Sequence, residues 1–427
     1  MSNNPESQNP PKSFLSSIYD KLRGDKIIWW IVIMLSLLSI VMIYYSTASL
    51  VYRFQGGNSL YYVGKHIFIL ALGISMIYFT HLLKYIYYSR ISQILLFISI
   101  PLLLFTLLSG VSEDSADRWI EIPGIGVSFQ TSDLAKMALI MYLARVLHKN
   151  QNQKMTFKEI FVPVILPIFI VCGLIVKVNF STTALIFGTC IVLLFIGRVP
   201  MKHILSTIGL AVGAFLIFVM VVKIVAPNNN RVLTWQHRVE AWVGGGEEGA
   251  QDEAETEANY QSSLSKAAIV SGGVVGNYFS GKNENPLPPQ SSSDFMYATL
   301  VKELGLIGGI FVAFMYMLLF YRGIRVAVKT ESTFGMLLVI GCVISLIFQA
   351  FSNMGVAVGL FPVTGQPLPY LSMGGTSLWF TSISIGIILS VTKKEEEIAL
   401  DLEEKKKRDE ALQRIIDKEV EAELGDF

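Results

Sequence analysis

Long apolar blocks of bilayer length, joined by short polar turns, make up most of this chain. Since ~20 apolar residues cross the hydrocarbon, the pattern predicts an all-α polytopic membrane protein with about ten transmembrane helices. The expected spans are 27–49, 61–80, 91–109, 132–148, 160–177, 180–197, 203–225, 295–321, 334–359 and 372–392. Lys177, Val178 and Asn179 leave a very short turn between the fifth and sixth spans, and the fourth carries Asp133, Lys136 and Arg145. The first block is too long for the apolar part of a signal peptide and is read as a retained anchor.

Basic residues in the short loops orient the bundle. Lys12, Lys21, Arg23, Lys26, Lys84, Arg90, Arg145, Lys149, Lys154, Lys158, Arg198, Lys202, Arg322, Arg325 and Lys329 all fall on one side of a ten-span arrangement. The opposite short loops hold Arg53 and Arg118, with Lys65 and Lys177 at helix ends. Both termini are therefore expected in the cytoplasm, with one large extracytoplasmic loop, 226–294, between spans seven and eight. Residues 1–26, with Pro5, Pro10 and Pro11, read as a disordered cytoplasmic arm. Residues 393–427 carry both charge signs, with Ile398, Leu402, Leu412, Ile416 and Val420 at helical spacing, and read as a charged cytoplasmic helix, either solvated or docked on a partner. The core is 27–392.

Composition agrees: 52% of the 427 residues are hydrophobic, which excludes an ordinary soluble protein, and a net charge of +1 gives no support for nucleic-acid binding. Cys172, Cys190 and Cys342 each lie in an apolar run and read as small buried hydrophobes.

Polar residues at membrane borders then stand out, because ionisable groups there are costly unless used. Asp294 closes the polar stretch Leu287–Phe295 and opens an apolar run; Glu303 follows nine residues on, roughly 13 Å deeper in a helix. Upstream, Asp117-Arg118-Trp119-Ile120 and Ile122-Pro123-Gly124-Ile125-Gly126 lead to Phe129-Gln130-Thr131-Ser132-Asp133-Leu134-Ala135-Lys136, read as a basic residue, a turn and a helix start capped by Ser132. Asp133 and Lys136 share a helix face, as a structural ion pair or as a substrate-facing one. The large loop adds Trp235-Gln236-His237-Arg238, an acidic Gly-rich insert at 244–257 read as a surface excursion, and Asn259–Leu264 with Gln261 and Ser263. The small apolar run 267–276 is too short to span and reads as a re-entrant or interfacial segment whose glycines serve packing or a ligand. A Pro/Gly-broken turn, 361–377, brings Ser372, Gly374 and Gly375 to the last span.

The ordered set DRWI, FQTSDLAK, NYQSSLSKAAIVSGGVVG, LPPQSSSDF, KELGLIGG and LFPVTGQPLPYLSMGGTS resembles the SEDS family, the polytopic peptidoglycan polymerases of the FtsW and RodA type, across residues 27–392. The chain departs from the family pattern at Asn179-Phe180-Ser181-Thr182-Thr183, where an acidic residue is usual, and at Gly276–Gly281. The resemblance implies a glycosyltransferase that polymerises lipid II into glycan strands at the outer face of the bacterial cytoplasmic membrane. The family's loop aspartate maps to Asp294, and its fourth-span acid and lysine map to Asp133 and Lys136. It also implies a class B penicillin-binding protein transpeptidase as partner. The extended ends lean toward an FtsW-like role at the division septum with other divisome proteins. The alternatives are a RodA-like polymerase for elongation, or a lipid II flippase or transporter using the same charges.

The chemistry asks for a base at the acceptor hydroxyl and cations at the departing pyrophosphate. Asp294 is the expected catalytic carboxylate; Arg118, Lys136 and Arg238 are the expected cations, with Asp133 orienting Lys136. Gln261 and Ser263 are expected to hydrogen-bond sugar or phosphate, and Glu303, Ser372, Gly374 and Gly375 complete the expected substrate-binding set. A divalent cation, Mg or Mn, is the one cofactor this chemistry invites; no ligand motif for it is evident. Membrane lipids surround the core.

Overall fold

The computed structural model describes residues 24–54, 59–109, 111–113, 116–122, 127–151, 157–225, 242, 253–277, 287–288, 290–393 and 408. In chain order these form α1 (Lys26–Phe54), α2 (Ser59–Leu82), α3 (Ile86–Ser109), β1 (Val111–Glu113), β2 (Ala116–Ile122), β3 (Val127–Gln130) and α4 (Thr131–Lys149). Then come α5 (Phe157–Ile160), a π-helical turn (Phe161–Ile165), α6 (Leu166–Val176), α7 (Phe180–Ile196), α8 (Met201–Val225) and α9 (Glu253–Gly272). These are followed by α10 (Met296–Lys329), α11 (Thr333–Ala357) and α12 (Thr376–Lys393).

A helical segment stands at each predicted span. Among the described residues, seven of them (α1, α2, α3, α8, α10, α11 and α12) are long and apolar enough on their own to cross a membrane. The α6 and α7 stretches are apolar but shorter, and α4 carries too many charges. Several helices outrun their predicted ends: α10 continues eight residues beyond 321, because a helix keeps its hydrogen bonds after its apolar stretch has ended.

The all-α bundle carries one small addition that the pattern did not predict. Residues 111–113, 116–122 and 127–130 form a three-stranded antiparallel sheet in the order β1-β2-β3, with Trp119 opposite Gln130 and Ile122 opposite Val127. Its strands are β-branched and aromatic runs flanking the Pro/Gly stretch 123–126, a hairpin composition. The acidic insert is corrected: its last five residues, 253–257, belong to α9, and the run 267–272 is the end of that 20-residue helix. The N-terminal arm up to residue 23 and nearly all of the C-terminal segment lie outside the described residues.

α11 is the axis of the bundle. It packs against α4, α7, α9 and α10, and Leu337, Leu338, Val339, Val343 and Ala350 are fully buried along it. Lipid tails are as apolar as leucine, so association between such helices rests on close packing and hydrogen bonds. Small residues permit that approach: a Cβ on Gly341 would collide with Ile140 of α4, and one on Gly323 with Val343 across the α10–α11 contact. At the rim the pattern reverses. α8 leaves Leu205, Leu210, Leu216, Ile217 and Met220 exposed, a dress that suits hydrocarbon and not water.

The two ends of the bundle differ in chemistry. At one, Asp25 caps α1 by accepting from the N–H groups of Ile27 (2.9 Å) and Ile28 (3.3 Å) and pairs with Arg322 of α10 (2.9 Å from Nε). Nearby, Arg145 of α4 donates to the Ser89 carbonyl (2.6 Å) and hydroxyl (2.9 Å). The other end gathers the start of α4, the 290–295 turn, the end of α11 and the irregular segment 358–375.

Candidate active site

At this second end two distant loops are stitched together. Residues 290–295 form tight turns in which the N–H groups of Ser293 (3.1 Å) and Phe295 (3.2 Å) both donate to the Gln290 carbonyl. The partner is the 366–373 turn. Ser372 Oγ donates to the Ser293 carbonyl (2.5 Å) and accepts from the Leu368 N–H (2.8 Å), while the Met373 N–H donates to the Ser292 carbonyl (2.8 Å). From a third side, Ser291 meets Ser46 of α1, hydroxyl to hydroxyl at 3.0 Å.

α11 closes the arrangement with two amides that the sequence reading missed. Asn353, 1% exposed, donates from Nδ2 to the backbone carbonyls of Asp294 (2.7 Å) and Gln366 (2.8 Å). Gln349, one turn earlier, accepts from Lys136 Nζ (3.1 Å) and donates to the Pro367 carbonyl (3.0 Å). Residues four apart lie on one helix face, so the Asp294 backbone and the Lys136 ammonium are held roughly 6 Å apart along α11. Gln366 in turn donates to Thr182 Oγ1 of α7 (2.8 Å), bringing in the 179–183 segment, where Asn179 caps α7 through the Thr182 N–H.

The predicted Asp133–Lys136 pair is present, at 3.2 Å between Nζ and Oδ1. Asp133 is 5% exposed and its Oδ2 has no partner among the described residues, which leaves one buried acceptor to be satisfied. Lys136 has three N–H donors; two serve Asp133 and Gln349. Ser132 does not cap α4 as expected. Strand β3 runs directly into the helix, so the extended cap position falls on Gln130, and Ser132, already in the first turn, accepts from the Gln130 side-chain amide (3.0 Å). Arg118 lies on β2, and extending the Trp119–Gln130 register by one residue puts position 118 level with Thr131, the first residue of α4.

The other expected residues divide. Asp294 is half-buried on the clamped turn. Ser372 is there too, but its hydroxyl is spent on the clamp. Among the described residues, a Cβ on Gly374 would meet nothing closer than 3.5 Å, and one on Gly375, which takes a left-handed φ of +50°, would meet nothing within 4 Å. Glu303 is buried on α10, two residues before Gly305, which breaks the helical geometry (φ +72°, ψ −176°). Gln261 and Ser263 are separated, one buried and the other exposed and donating to the Tyr260 carbonyl (3.0 Å); two positions apart on α9, they face different ways. Arg238 lies outside the described residues. The Gly-rich run after α9 serves packing: Gly272 and Gly276 abut the α10 backbone at Val301 and Glu303, and the Leu306 N–H donates to the Gly273 carbonyl (2.9 Å).

Among the described residues no three His, Cys, Asp or Glu side chains converge. Asp133, among the described residues the one carboxylate with an orphaned buried oxygen, already faces an ammonium. The described residues therefore do not by themselves assemble a cage for a divalent cation.

Residues 25–397 match the FtsW, RodA and SpoVE family, described as cell cycle proteins. The chain belongs to this family. A Geobacter metallireducens protein named probable peptidoglycan glycosyltransferase FtsW is 31% identical over 376 residues, 87% of this chain and 95% of that protein. Stage V sporulation protein E of Bacillus subtilis is 28% identical over 381 residues, 87% of this chain and 98% of its own. Among solved structures, a chain from a peptidoglycan synthase complex that coordinates polymerization and crosslinking superposes with a TM-score of 0.67 at 22% identity, covering 87% of this chain and 98% of that one. Thermus thermophilus rod shape determining protein RodA gives 0.61 at 21% identity, covering 87% and 97%. The fold is thus that of the FtsW/RodA family, and the protein is a multi-pass membrane protein.

Proposed function

We propose that this chain is a peptidoglycan glycosyltransferase that polymerises lipid II at the outer face of the bacterial cytoplasmic membrane, with Asp294 as its catalytic carboxylate. The observation that carries the reading is the clamp: three chain segments and two α11 amides converge on the backbone beside Asp294 and on the Asp133–Lys136 pair. Positioning of this kind is what a transfer between two bulky lipid-linked sugars needs most. Asp294 takes the proton from the acceptor hydroxyl as its oxygen attacks the donor's anomeric carbon. The bond to pyrophosphate breaks, and the remaining N–H of Lys136, with Arg118 and Arg238 as further cations, offsets the negative charge of the leaving lipid pyrophosphate. Gln261, Glu303 and the backbone at Gly374 and Gly375 are the further substrate contacts of this reading.

The basic-residue pattern supports ten crossings with both ends in the cytoplasm, and the clamp on the outer side. The likeness to a synthase complex supports a class B penicillin-binding protein transpeptidase as partner, and relatives named FtsW support a septal role among divisome proteins. Purified protein given lipid II should yield glycan polymer, and Asp294→Asn should stop it while the protein stays folded. Full polymerisation by Asp294→Asn rules out the catalytic assignment. A tagged copy should gather at midcell; uniform side-wall localisation would instead assign it to elongation.

A further inference from the structure

The clamp is braced from behind by a line of buried hydrogen bonds that the chemistry above does not use. His66 of α2, 1% exposed, meets Ser39 of α1 at 2.7 Å between Nε2 and Oγ, and Ser39, 0% exposed, donates to the Leu371 carbonyl at 2.9 Å. A serine hydroxyl has one hydrogen. With that hydrogen committed to Leu371, the Ser39 oxygen accepts from His66, so His66 carries its proton on Nε2.

Leu371 sits in the most constrained part of the 366–373 turn. Tyr370 before it has φ +66°, a left-handed conformation that a bulky residue keeps only where its surroundings over-determine it. The surroundings do so here. The Tyr370 hydroxyl bonds Ser382 of α12 at 2.7 Å, Tyr316 of α10 donates to the Pro369 carbonyl, Ser39 holds the Leu371 carbonyl, and Ser372 reaches the Ser293 carbonyl. Burial also pushes the Tyr370 phenol above its usual pKa range, the Ser382 bond acting against it, so it stays a neutral donor. Of these restraints, the one from α1 and α2 is polar on both helices. A buried histidine inside an apolar helix is costly, and an apolar pair would pack there without that cost but leave the Leu371 carbonyl unsatisfied. Without that bond the buried carbonyl is relieved by rotation of its own peptide, 371–372, which moves Ser372, the next residue and the link to Ser293 beside Asp294.

We propose that Ser39 and His66 are positioning residues: they hold the Tyr370–Ser372 turn in its left-handed form and thereby fix the loop that carries Asp294. The proposal rests on the reading of Asp294 as the catalytic carboxylate.

The test is steady-state polymerisation of lipid II by the full-length protein, per folded molecule, for S39A, S39T, S372A, S39A/S372A and D294N. S39A should lower kcat about ten-fold with KM within about two-fold, the pattern of an interaction felt in the transition state. S39T, which keeps the hydroxyl, should regain most of the loss, and S39A/S372A should be no worse than S372A, since both act through one turn. A wild-type kcat for S39A, or a double variant whose losses multiply, overturns the proposal. If S39A does not fold, H66Q and H66L take its place: the glutamine amide can still donate to Ser39, and equal kcat in the two overturns it. D294N separates the two readings: an inactive D294N beside a fully active S39A refutes the relay alone, whereas an active D294N removes the catalytic assignment and the relay's purpose with it.

Discussion

Replacing Asn353 is the most direct probe of the clamp. Its Nδ2 supplies both hydrogens of one amide to two backbone carbonyls from different loops, Asp294 and Gln366. Asn353→Ala leaves both acceptors without their donor. A buried acceptor left unsatisfied costs ~1–3 kcal/mol. Gln366 is buried and bears that cost in full, whereas Asp294 is half-buried and its carbonyl can be rewetted, which reduces its share. In the other direction, Asn353 Oδ1 has no partner among the described residues, and its removal returns part of the loss. The balance is about 2–3 kcal/mol, and much of it falls on the geometry of the Asp294 turn. Since a displacement near 1 Å costs on the order of 10²-fold in rate, kcat should fall 10- to 100-fold with KM little changed. Asn353→Asp makes the sharper comparison: it keeps the shape but presents acceptors to two carbonyls, so it should be worse than alanine despite being the closer match in size. The assay is lipid II polymerisation normalised to folded protein by size-exclusion recovery, with apparent Tm measured in parallel. If Asn353→Ala retains kcat within two-fold and an unchanged Tm, or Asn353→Asp outperforms it, the amide is not what holds the two loops.

Three further outcomes follow from the same geometry. Lys136→Met leaves the buried Asp133 carboxylate without its cation and should cost ~3 kcal/mol or more, seen as low folded yield; Asp133→Asn/Lys136→Met should restore the yield but not polymerisation, and a double variant as unstable as the single refutes the pairing. Gly305→Ala puts a Cβ against the Val274 carbonyl at φ +72°, so folded recovery should drop by the equivalent of about 3 kcal/mol; normal recovery and Tm would show that α9 and α10 do not pack this closely. Asp25→Ala removes both the α1 cap and the Arg322 pair at the far end, lowering stability by about 1–2 kcal/mol with kcat per folded molecule unchanged; a fall in kcat would mean that the two ends are coupled.

Apolar length made the helical segments legible because, in lipid, a backbone must satisfy its own hydrogen bonds and a helix does so within one segment. The Asp133–Lys136 pair was legible for a similar reason, since three residues apart on a helix is a local relation. The sheet at 111–130 was missed although Trp119–Ile122 and Val127–Phe129 flank a Pro/Gly stretch; its polar residues drew attention to charge and away from alternation. The clamp was legible only in its parts. SSSD and PLPYLSM stood out as polar, irregular segments, but Ser372 meets Ser293 across 79 positions, and no local pattern encodes that pairing. Gln349 and Asn353 did leave a signal: two amides four apart in a mainly apolar span are costly to bury unless they are bonded, although neither carries a charge. Ser39 and Ser46, seven apart on α1, were hidden more deeply, because serine in a membrane helix commonly satisfies itself on its own backbone.

The contrast between the two ends bears on the choice between polymerase and transporter. A transporter must open a polar path to each face in turn. Here the end bearing Asp25 is closed by ion pairing of α1 to α10 and by Arg145 of α4 bound to the α3 backbone, while the axis, α11, is apolar between Phe334 and Leu346 except at Ser345 and is buried there except at Met336, Ile344 and Ser345, which are half-buried. The amides begin only at Gln349, in the last third of that helix. The clamp's amides thus extend inward by little more than two turns of α11, and beyond them the described residues of that helix present mainly close-packed apolar side chains, which offer no hydrogen bonds to a moving headgroup. Chemistry at one face requires nothing deeper, and the long lipid of the substrate can remain in the bilayer beside the bundle while its pyrophosphate and sugars reach Asp294 from the side. The geometry therefore favours transfer at the surface over passage through the core.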